Sequence, residues 1–314
     1  MTNNVKQRNV LVMGGSGFLG SQLVRRLQGL EEYQVFAPSH KELDACEYSQ
    51  IVNFIKNNQI DIVIHAVANH AGIGTGVNQE LYFLESNLLM NSNLVKASYE
   101  SGIEKFITFG TSCCYNNPEQ VVFTEEDYWK NKSEISYGTC KRVMLEQLQL
   151  QNAMNWVYLV PPNLYGPGDH FGEKHTHFVP ATYKKFDDAI KENTGFITVW
   201  GDGSQMRDFL FVEDLIDIIL KSIESEILDR QVMNIATMKD SSVKEVVTLI
   251  RETLGYMDIE IKWDTSKPTG VGRKVLDNSK FLSLIPDFKF TNINFGIETI
   301  SKWHLNGDSY EGLL

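Results

Sequence analysis

The stretch from Asn9 to Leu30, NVLVMGGSGFLGSQLVRRLQGL, constrains this chain more than any other. A short apolar run ends in glycines, and a helical rhythm begins among them, with Leu19, Leu23, Leu27 and Leu30 on one side. Gly14, Gly17 and Gly20 spell G-x-x-G-x-x-G, and Gly15, Gly17 and Gly20 also satisfy G-x-G-x-x-G. Glycines here let the chain turn tightly, let backbone N–H groups approach a pyrophosphate, and let the helix pack on its strand. A glycine-rich turn without a ligand could sit anywhere. This one lies at the first strand-to-helix junction, which points to dinucleotide binding.

The segments that follow alternate. YQVFAPS reads as a strand, YSQIVNFIKNNQ as a helix, IDIVIHAVA as a buried strand and FLESNLLMNSNLVKASYESG as a long helix. Then come the strand IEKFITFG, the helix SYGTCKRVMLEQLQLQN and the strand NWVYLVPPNLYGPGD, which runs into a loop. Such alternation predicts an α/β fold: a Rossmann-type doubly wound parallel sheet covered on both faces. After residue 165 the rhythm breaks, and FVPATYKKFDDAI, FITVWG and WDTSKPTGVGRKVLDNSK suggest a smaller mixed α/β substrate-binding lobe. The expected boundaries are residues 1–165 with about 205–238 for the dinucleotide-binding domain, and about 166–204 with 239–314 for the lobe. In a switch-point architecture the ligand lies at the carboxyl ends of the strands, between sheet and lobe.

Composition narrows the partners. No apolar run approaches the ~20 residues that span a membrane. Lys6 and Arg8 before the first apolar run imitate a signal peptide, but the glycines arrive too early and no cleavage site follows. Four cysteines in 314 residues make no disulfide framework, which fits the cytoplasm. Cys113, Cys114 and Cys140 lack CxxC spacing, and His175 and His177 have no cysteine near them in sequence, so no metal site is expected. With 29 basic and 40 acidic residues, the net charge of −11 argues against nucleic acid as a partner. An anionic small ligand then needs cations gathered locally.

SYGTCK places Tyr137 four residues before Lys141, on one face of a helix. An ammonium near a phenol is expected to lower its pKa from about 10, letting the tyrosine exchange a proton at a carbinol or carbonyl. An isolated Y-x-x-x-K is common by chance. Here it follows a nucleotide loop and a strand ending in Thr-Ser, which favours chemistry. The second strand ends in VFAPSHKELD with no acid at its tip. Ser39, His40 and Lys41 suit the 2′-phosphate of NADP better than a free ribose, and a solvated surface loop is the other reading.

GGSGFLGS, Asn87 in FLESNLLMNSNLV, FGTSCCY, SYGTCK, VPPNLYGPGD and RDFLFVEDL together resemble the extended short-chain dehydrogenase/reductases along nearly the whole chain. The resemblance implies that Thr111 acts with Tyr137 and Lys141. It also implies that Gly14, Gly15, Ser16, Gly17, Phe18, Leu19, Gly20, His40, Ala68, Pro161, Asn163, Leu164 and His177, with the three catalytic groups, meet NADP. Within the family the sequence is most similar to the branch that converts GDP-4-keto-6-deoxy-D-mannose to GDP-L-fucose, by epimerisation at C3 and C5 and NADPH reduction at C4. That branch carries a cysteine two residues after the hydroxyl, here Cys113, and a histidine before a Pro-Ala helix start, here His177. ITVWGDGSQMRDFL and KPTGVGRKVLD extend the likeness. By resemblance the GDP-sugar meets Asn163, Lys185, Trp200, Arg207 and Lys274, with Arg273 a weaker candidate, and the enzyme is a homodimer.

The chemistry also stands without the likeness. Inverting a carbon beside a ketone needs a base on one face and an acid on the other. A thiol and an imidazole, with ordinary pKa values of ~8.5 and ~6.5, serve near neutrality. Position alone leaves Cys113 open between packing and acid/base work; His177 and the resemblance favour the latter. Cys114 and Cys140 read as packing, and His65, His70, His170 and His175 as structural. Dehydratases of the family carry Thr-Asp-Glu where this chain has Thr111-Ser112-Cys113, so that activity lacks its acids. Four departures stand out: the general GGSGFLG loop, Thr111 for Ser, His40 for Arg and Lys185 for Arg. Another 4-keto-6-deoxy sugar, as in a GDP-colitose enzyme, a 4-epimerase or plain 4-reductase, and a non-catalytic NAD(P)-binding protein are the alternatives.

Overall fold

The computed structural model describes residues 7–69, 77–171, 176–267 and 272–307. In chain order its elements begin β1 (Arg8–Met13), α1 (Phe18–Gln28), β2 (Tyr33–Phe36), α2 (Tyr48–Asn57), β3 (Ile62–His65), α3 (Val77–Ser101) and β4 (Lys105–Phe109). They continue β5 (Val122–Phe123), α4 (Ser136–Leu150), β6 (Asn155–Val160), β7 (Asn163–Tyr165), α5 (Phe178–Glu192), β8 (Phe196–Trp200) and β9 (Met206–Phe211). The last are α6 (Val212–Glu224), β10 (Gln231–Asn234), β11 (Asp240–Ser242), α7 (Val243–Leu254), β12 (Glu260–Asp264), β13 (Arg273–Leu276), α8 (Ser279–Leu284) and α9 (Ile293–Leu305). The chain divides into two compact units: residues up to 116 with 125–161 and 215–234, and residues 117–124 with 162–214 and from 235 on.

The first unit holds a six-stranded sheet in the order β10-β6-β4-β3-β1-β2, with every pairing parallel. Its inner strands are buried along their length, which is why they read as continuous apolar runs rather than alternations. Lys105 in β4 is the exception in type, and its ammonium meets Asp229 at 2.7 Å and the carbonyl of Ser222 at 3.0 Å. Right-handed crossovers put α1 on one face and α2, α3 and α4 on the other. Accordingly Arg26 of α1 pairs with Asp217 of α6, while Asn93 of α3 reaches the Cys46 carbonyl just before α2. Strand order reverses beside β1, so the glycine loop lies at the switch point.

In the second unit β11, β9, β13 and β5 form one sheet, β7 pairs with the far end of β9, and β8 pairs with β12. Its core packs Tyr165, Tyr183, Phe186, Phe209 and Phe211 against α7 and α9. Asp208 in β9 is 1% exposed and holds the turn before β11, accepting from the Thr237 hydroxyl and from the Thr237 and Met238 amides. Among the described residues no helix is long and apolar enough to cross a membrane.

Candidate active site

The glycine loop is shaped by what its residues lack. Gly14 has φ +87, and a Cβ there would stand 2.7 Å from the Val67 nitrogen. A Cβ on Gly20 would lie 2.0 Å from the Gly14 carbonyl oxygen. Gly17 caps α1, and its amide bonds that same Gly14 oxygen at 3.0 Å. The cap brings no side chain to the first-turn N–H groups, and no acid sits in that turn, as an anion site requires. Gly14 and Ser16 line a cavity of about 520 Å³ with Pro38, His40, Asp44 and Val67. Buried Asn87 fixes its far wall, donating to the Asn69 carbonyl at 2.6 Å and accepting from the Asn69 amide at 3.0 Å, which holds Ala68 in place. These features fit a nicotinamide dinucleotide. Gly20→Ala is expected to force the loop open, because what the Cβ would meet is the Gly14 backbone, which cannot swing aside. Dinucleotide affinity in a fluorescence titration should fall at least tenfold, and the melt should show about 3 kcal/mol of destabilisation.

At the end of β2 the side chains differ from the expected phosphate cradle. The Ser39 amide and hydroxyl both bond the Glu42 carboxylate, at 2.7 and 2.8 Å. His40, whose side chain is 82% exposed, lies 3.8 Å from Asp44. Of the predicted trio, Ser39 is thus engaged within its own turn, while His40 stands exposed.

The loop after β4 is a single 3₁₀ turn over Ser112–Cys114, capped by Thr111, whose hydroxyl accepts from the Cys113 amide at 3.2 Å. Helix α4 lies close against it. The Glu134 amide donates to the Cys113 carbonyl at 3.0 Å, and the Arg142 guanidinium donates to the Cys114 carbonyl at 2.5 Å. A Cβ on Gly138 would meet Ser133 at 2.8 Å and the Cys113 carbonyl at 3.3 Å. That glycine inside SYGTCK therefore permits the approach, and a helix-interior glycine is its sequence signal. Cys114 is fully buried, its thiol facing the Gly138 carbonyl at 3.3 Å and pushed up to about 11 by burial, whereas Cys113 is only partly buried.

Tyr137 and Lys141 share the expected face of α4, with Nζ 5.5 Å from the centre of the phenol ring. Their electrostatics correct the expectation from sequence. Burial, followed by the nearby thiols, pushes the Tyr137 phenol up, and burial pushes Lys141 down to about 8. Tyr137 is thus held as a protonated donor, the form a carbonyl reduction needs.

In the second unit His177 caps α5 and bonds Asp169 through Nδ1 at 3.0 Å. Asp169 is 5% exposed, and its hydrogen bond, opposed by partial burial, raises the His177 pKa. Nδ1 is held by the carboxylate, which orients the ring. Asp169 was not among the residues singled out from sequence; the acid in GPGDH was its only signal. Arg207 of β9 and Lys274 of β13 stand in register on neighbouring parallel strands, side by side on one face. Arg207 also donates to the Met206 carbonyl at 2.8 Å. Arg273 is instead paired with Asp240 at 2.5 Å. Lys185 donates to the Thr198 carbonyl at 2.7 Å, and Trp200, two residues on, is 53% exposed. Asn163 donates to the Asp208 carbonyl at 3.0 Å, beside partly buried Leu164, and Pro161 is buried at the end of β6. A second cavity, of about 690 Å³ by Asp240, Lys244 and Glu252, holds none of the predicted residues. His70 and His175 lie outside the described residues, as does 268–271 of the C-terminal loop.

A parallel sheet with a glycine loop at its switch point and a partly buried Tyr137 beside buried Lys141 defines a dinucleotide-dependent enzyme of the short-chain dehydrogenase/reductase class. The sequence pattern of the NAD dependent epimerase/dehydratase family matches residues 10–236, and the chain belongs to that family. It is similar to GDP-L-colitose synthase of Yersinia pseudotuberculosis, at 29% identity over 95% of this chain and 98% of that one. It is also similar to GDP-L-fucose synthase 1 of Arabidopsis thaliana, at 30% identity over 89% of this chain and 88% of that one. The fold matches the crystal structure of a GDP-L-fucose synthetase from Naegleria fowleri bound to NADP, with a TM-score of 0.84 and 22% identity over 96% and 95% of the two chains. The chain is an epimerase/reductase that uses a nicotinamide dinucleotide.

Proposed function

We propose that this enzyme converts GDP-4-keto-6-deoxy-D-mannose to GDP-L-fucose, epimerising C3 and C5 and then reducing C4 with NADPH. The observation that carries the reading is the junction of the Thr111–Cys113 turn with α4. Glu134 and Gly138 seat the Cys113 carbonyl against the helix of Tyr137 and Lys141, so a thiol accompanies a carbonyl-reducing pair. A plain reduction has no use for that thiol.

In this scheme the Thr111 hydroxyl and the Tyr137 phenol hydrogen-bond the C4 oxygen and stabilise the enolate formed when a proton leaves C3 or C5. Cys113 and His177 move those protons, and Asp169 keeps the His177 ring oriented and basic. The dinucleotide, when bound, supplies the hydride that reduces C4. Tyr137 gives its proton to the C4 oxygen, and the Lys141 charge favours the phenolate left behind. Gly14, Gly15, Ser16, Gly17, Phe18, Leu19 and Gly20 hold the pyrophosphate of NADP, and His40 meets its 2′-phosphate. Ala68, Pro161, Asn163, Leu164 and His177 complete the cofactor contacts. Arg207 and Lys274 take the GDP phosphates, and Lys185, Trp200 and Asn163 the rest of the substrate.

A homodimer in the cytoplasm fits two further observations. Val143 and Leu150, seven residues apart on α4, are 43% and 76% exposed. None of the four cysteines, all among the described residues, forms a disulfide. The test of the proposed activity is a stoichiometric one. With NADPH and GDP-4-keto-6-deoxy-D-mannose, one cofactor should be oxidised per sugar and NMR should identify GDP-L-fucose. NADPH oxidation giving the C3,C5-unchanged 4-hydroxy sugar would leave a plain 4-reductase, and no oxidation would refute this substrate.

A further inference from the structure

Asp169 reaches His177 from the loop that follows β7, and a loop carboxylate orients a ring only if the loop itself is held. Gly168, at φ +86, turns the chain just before it. Beyond the turn burial alternates: Asp169 is buried, His170 exposed and Phe171 partly buried. The Phe171 ring packs against the core of the second unit in a slot of aromatic side chains. It stacks on His304 with 4.9 Å between ring centres and 19° between planes, lies tilted on Trp303 at 5.6 Å and meets Tyr183 edge-on at 5.8 Å. His304 is fixed in turn by Asp187 of α5, 2.9 Å from its Nε2, and by an edge contact with Tyr183. The slot therefore ties the end of α9 and the body of α5 to this loop, and α5 is the helix that His177 caps. Two residues before the Phe171 ring, the Asp169 carboxylate meets His177 Nδ1 at 3.0 and 3.2 Å and accepts from the His170 amide at 2.8 Å.

We propose that Phe171 is a positioning residue for the epimerisation, its ring seated among His304, Trp303 and Tyr183 so that the loop holds Asp169 against His177 Nδ1. The proposal rests on the reading of His177 as a group that moves protons, and it deepens that reading by naming what keeps the Asp169–His177 pair in register. Stacked and edge-on contacts set the orientation of a ring as well as its depth, which an aliphatic contact does not. The slot thus fixes the loop two residues from the carboxylate that has to meet the imidazole. A carboxylate only accepts hydrogen bonds, so a neutral His177 bonded to Asp169 carries its proton on Nδ1. Without that partner the ring is free to take the other tautomer. The tautomer of His177 therefore reports whether the loop is in place.

The test reads the His177 ring nitrogens in the full chain labelled with ¹⁵N-histidine, at a pH where the ring is neutral, assigned by their loss in His177→Gln. No substrate is needed, so the outcome is independent of whether the GDP-sugar reading holds. The parent should show the Nδ1–H tautomer. Phe171→Ala should move His177 towards Nε2–H, and Phe171→Tyr, which keeps the ring, should restore the parent signal. With substrate in deuterated water, Phe171→Ala should slow exchange at the carbon His177 serves by about 10²-fold, the cost of a misplacement of about 1 Å. Hydride transfer to a 4-keto sugar needing no inversion should stay within about threefold of the parent, because Tyr137 and Lys141 are untouched. A Phe171→Ala protein that folds and keeps Nδ1–H overturns the proposal, and so does a parent whose His177 carries Nε2–H. Should Phe171→Ala fail to fold, His304→Gln takes its place, since it keeps a donor for Asp187 and removes the stacking face. An unchanged His177 in that variant overturns the proposal equally.

Discussion

Lys141→Met should stop hydride transfer and make the protein more stable. The activity loss is expected at about 10³-fold, within the range that proton-transfer assistance supplies, and should appear in kcat beyond any loss of cofactor affinity from the missing Lys141 contact. The stability gain follows from linkage. Lys141 is 2% exposed, and burial brings its pKa from 10.5 to about 8. Below pH 8 the folded protein must carry a buried charge that the unfolded chain keeps in water. At about 1.4 kcal/mol per pKa unit that penalty is about 3 kcal/mol. Between pH 8 and 10.5 the unfolded chain binds more protons than the folded one, so the parent gains stability as pH rises through that window. The variant has no such slope. Thermal melts at pH 7 should place it several degrees above the parent, and the gap should close towards pH 10.5. A buried cation that destabilises its own fold is retained for what it does.

Cys113→Ser separates epimerisation from reduction. A serine hydroxyl keeps the size and the hydrogen bonding of the turn, and the Glu134 contact is to the backbone, so cofactor affinity should not change. The alcohol is a far weaker acid than a thiol, so exchange of the substrate's C3 and C5 protons with solvent should slow by about 10²–10⁴-fold. Transfer of hydride to a 4-keto sugar needing no inversion should stay within about threefold of the parent, since Thr111, Tyr137 and Lys141 are untouched. Cys114→Ser makes the contrast. Its thiol is buried against Gly138, so that change should affect stability and leave exchange in place.

Much of this architecture is legible in the sequence because parallel strands buried on both faces are mostly apolar, as β1, β3, β4 and β6 are apart from their ends and Thr108. The glycine loop is equally plain, since no side chain fits at Gly14 or Gly20. The site is harder to read. Spacing placed Tyr137 and Lys141 on one face, but the direction of the Tyr137 pKa depends on burial, which spacing does not carry. Asp169 reaches His177 through a loop, and loop geometry has no period to betray it. The side-by-side placement of Arg207 and Lys274 comes from strand register between distant segments. The same register sends the neighbouring Arg273 to Asp240 instead. Helix α3 begins at Val77, before the apolar pattern that marks it, and Leu81 and Tyr82, which precede that pattern, are exposed.

The most direct measurement is the isotope content of the product made in deuterated water. With NADPH and GDP-4-keto-6-deoxy-D-mannose, the account predicts GDP-L-fucose carrying solvent deuterium at both C3 and C5, formed with one NADPH oxidised per sugar. A reduced product with protium at both carbons would contradict it and return Cys113 to packing.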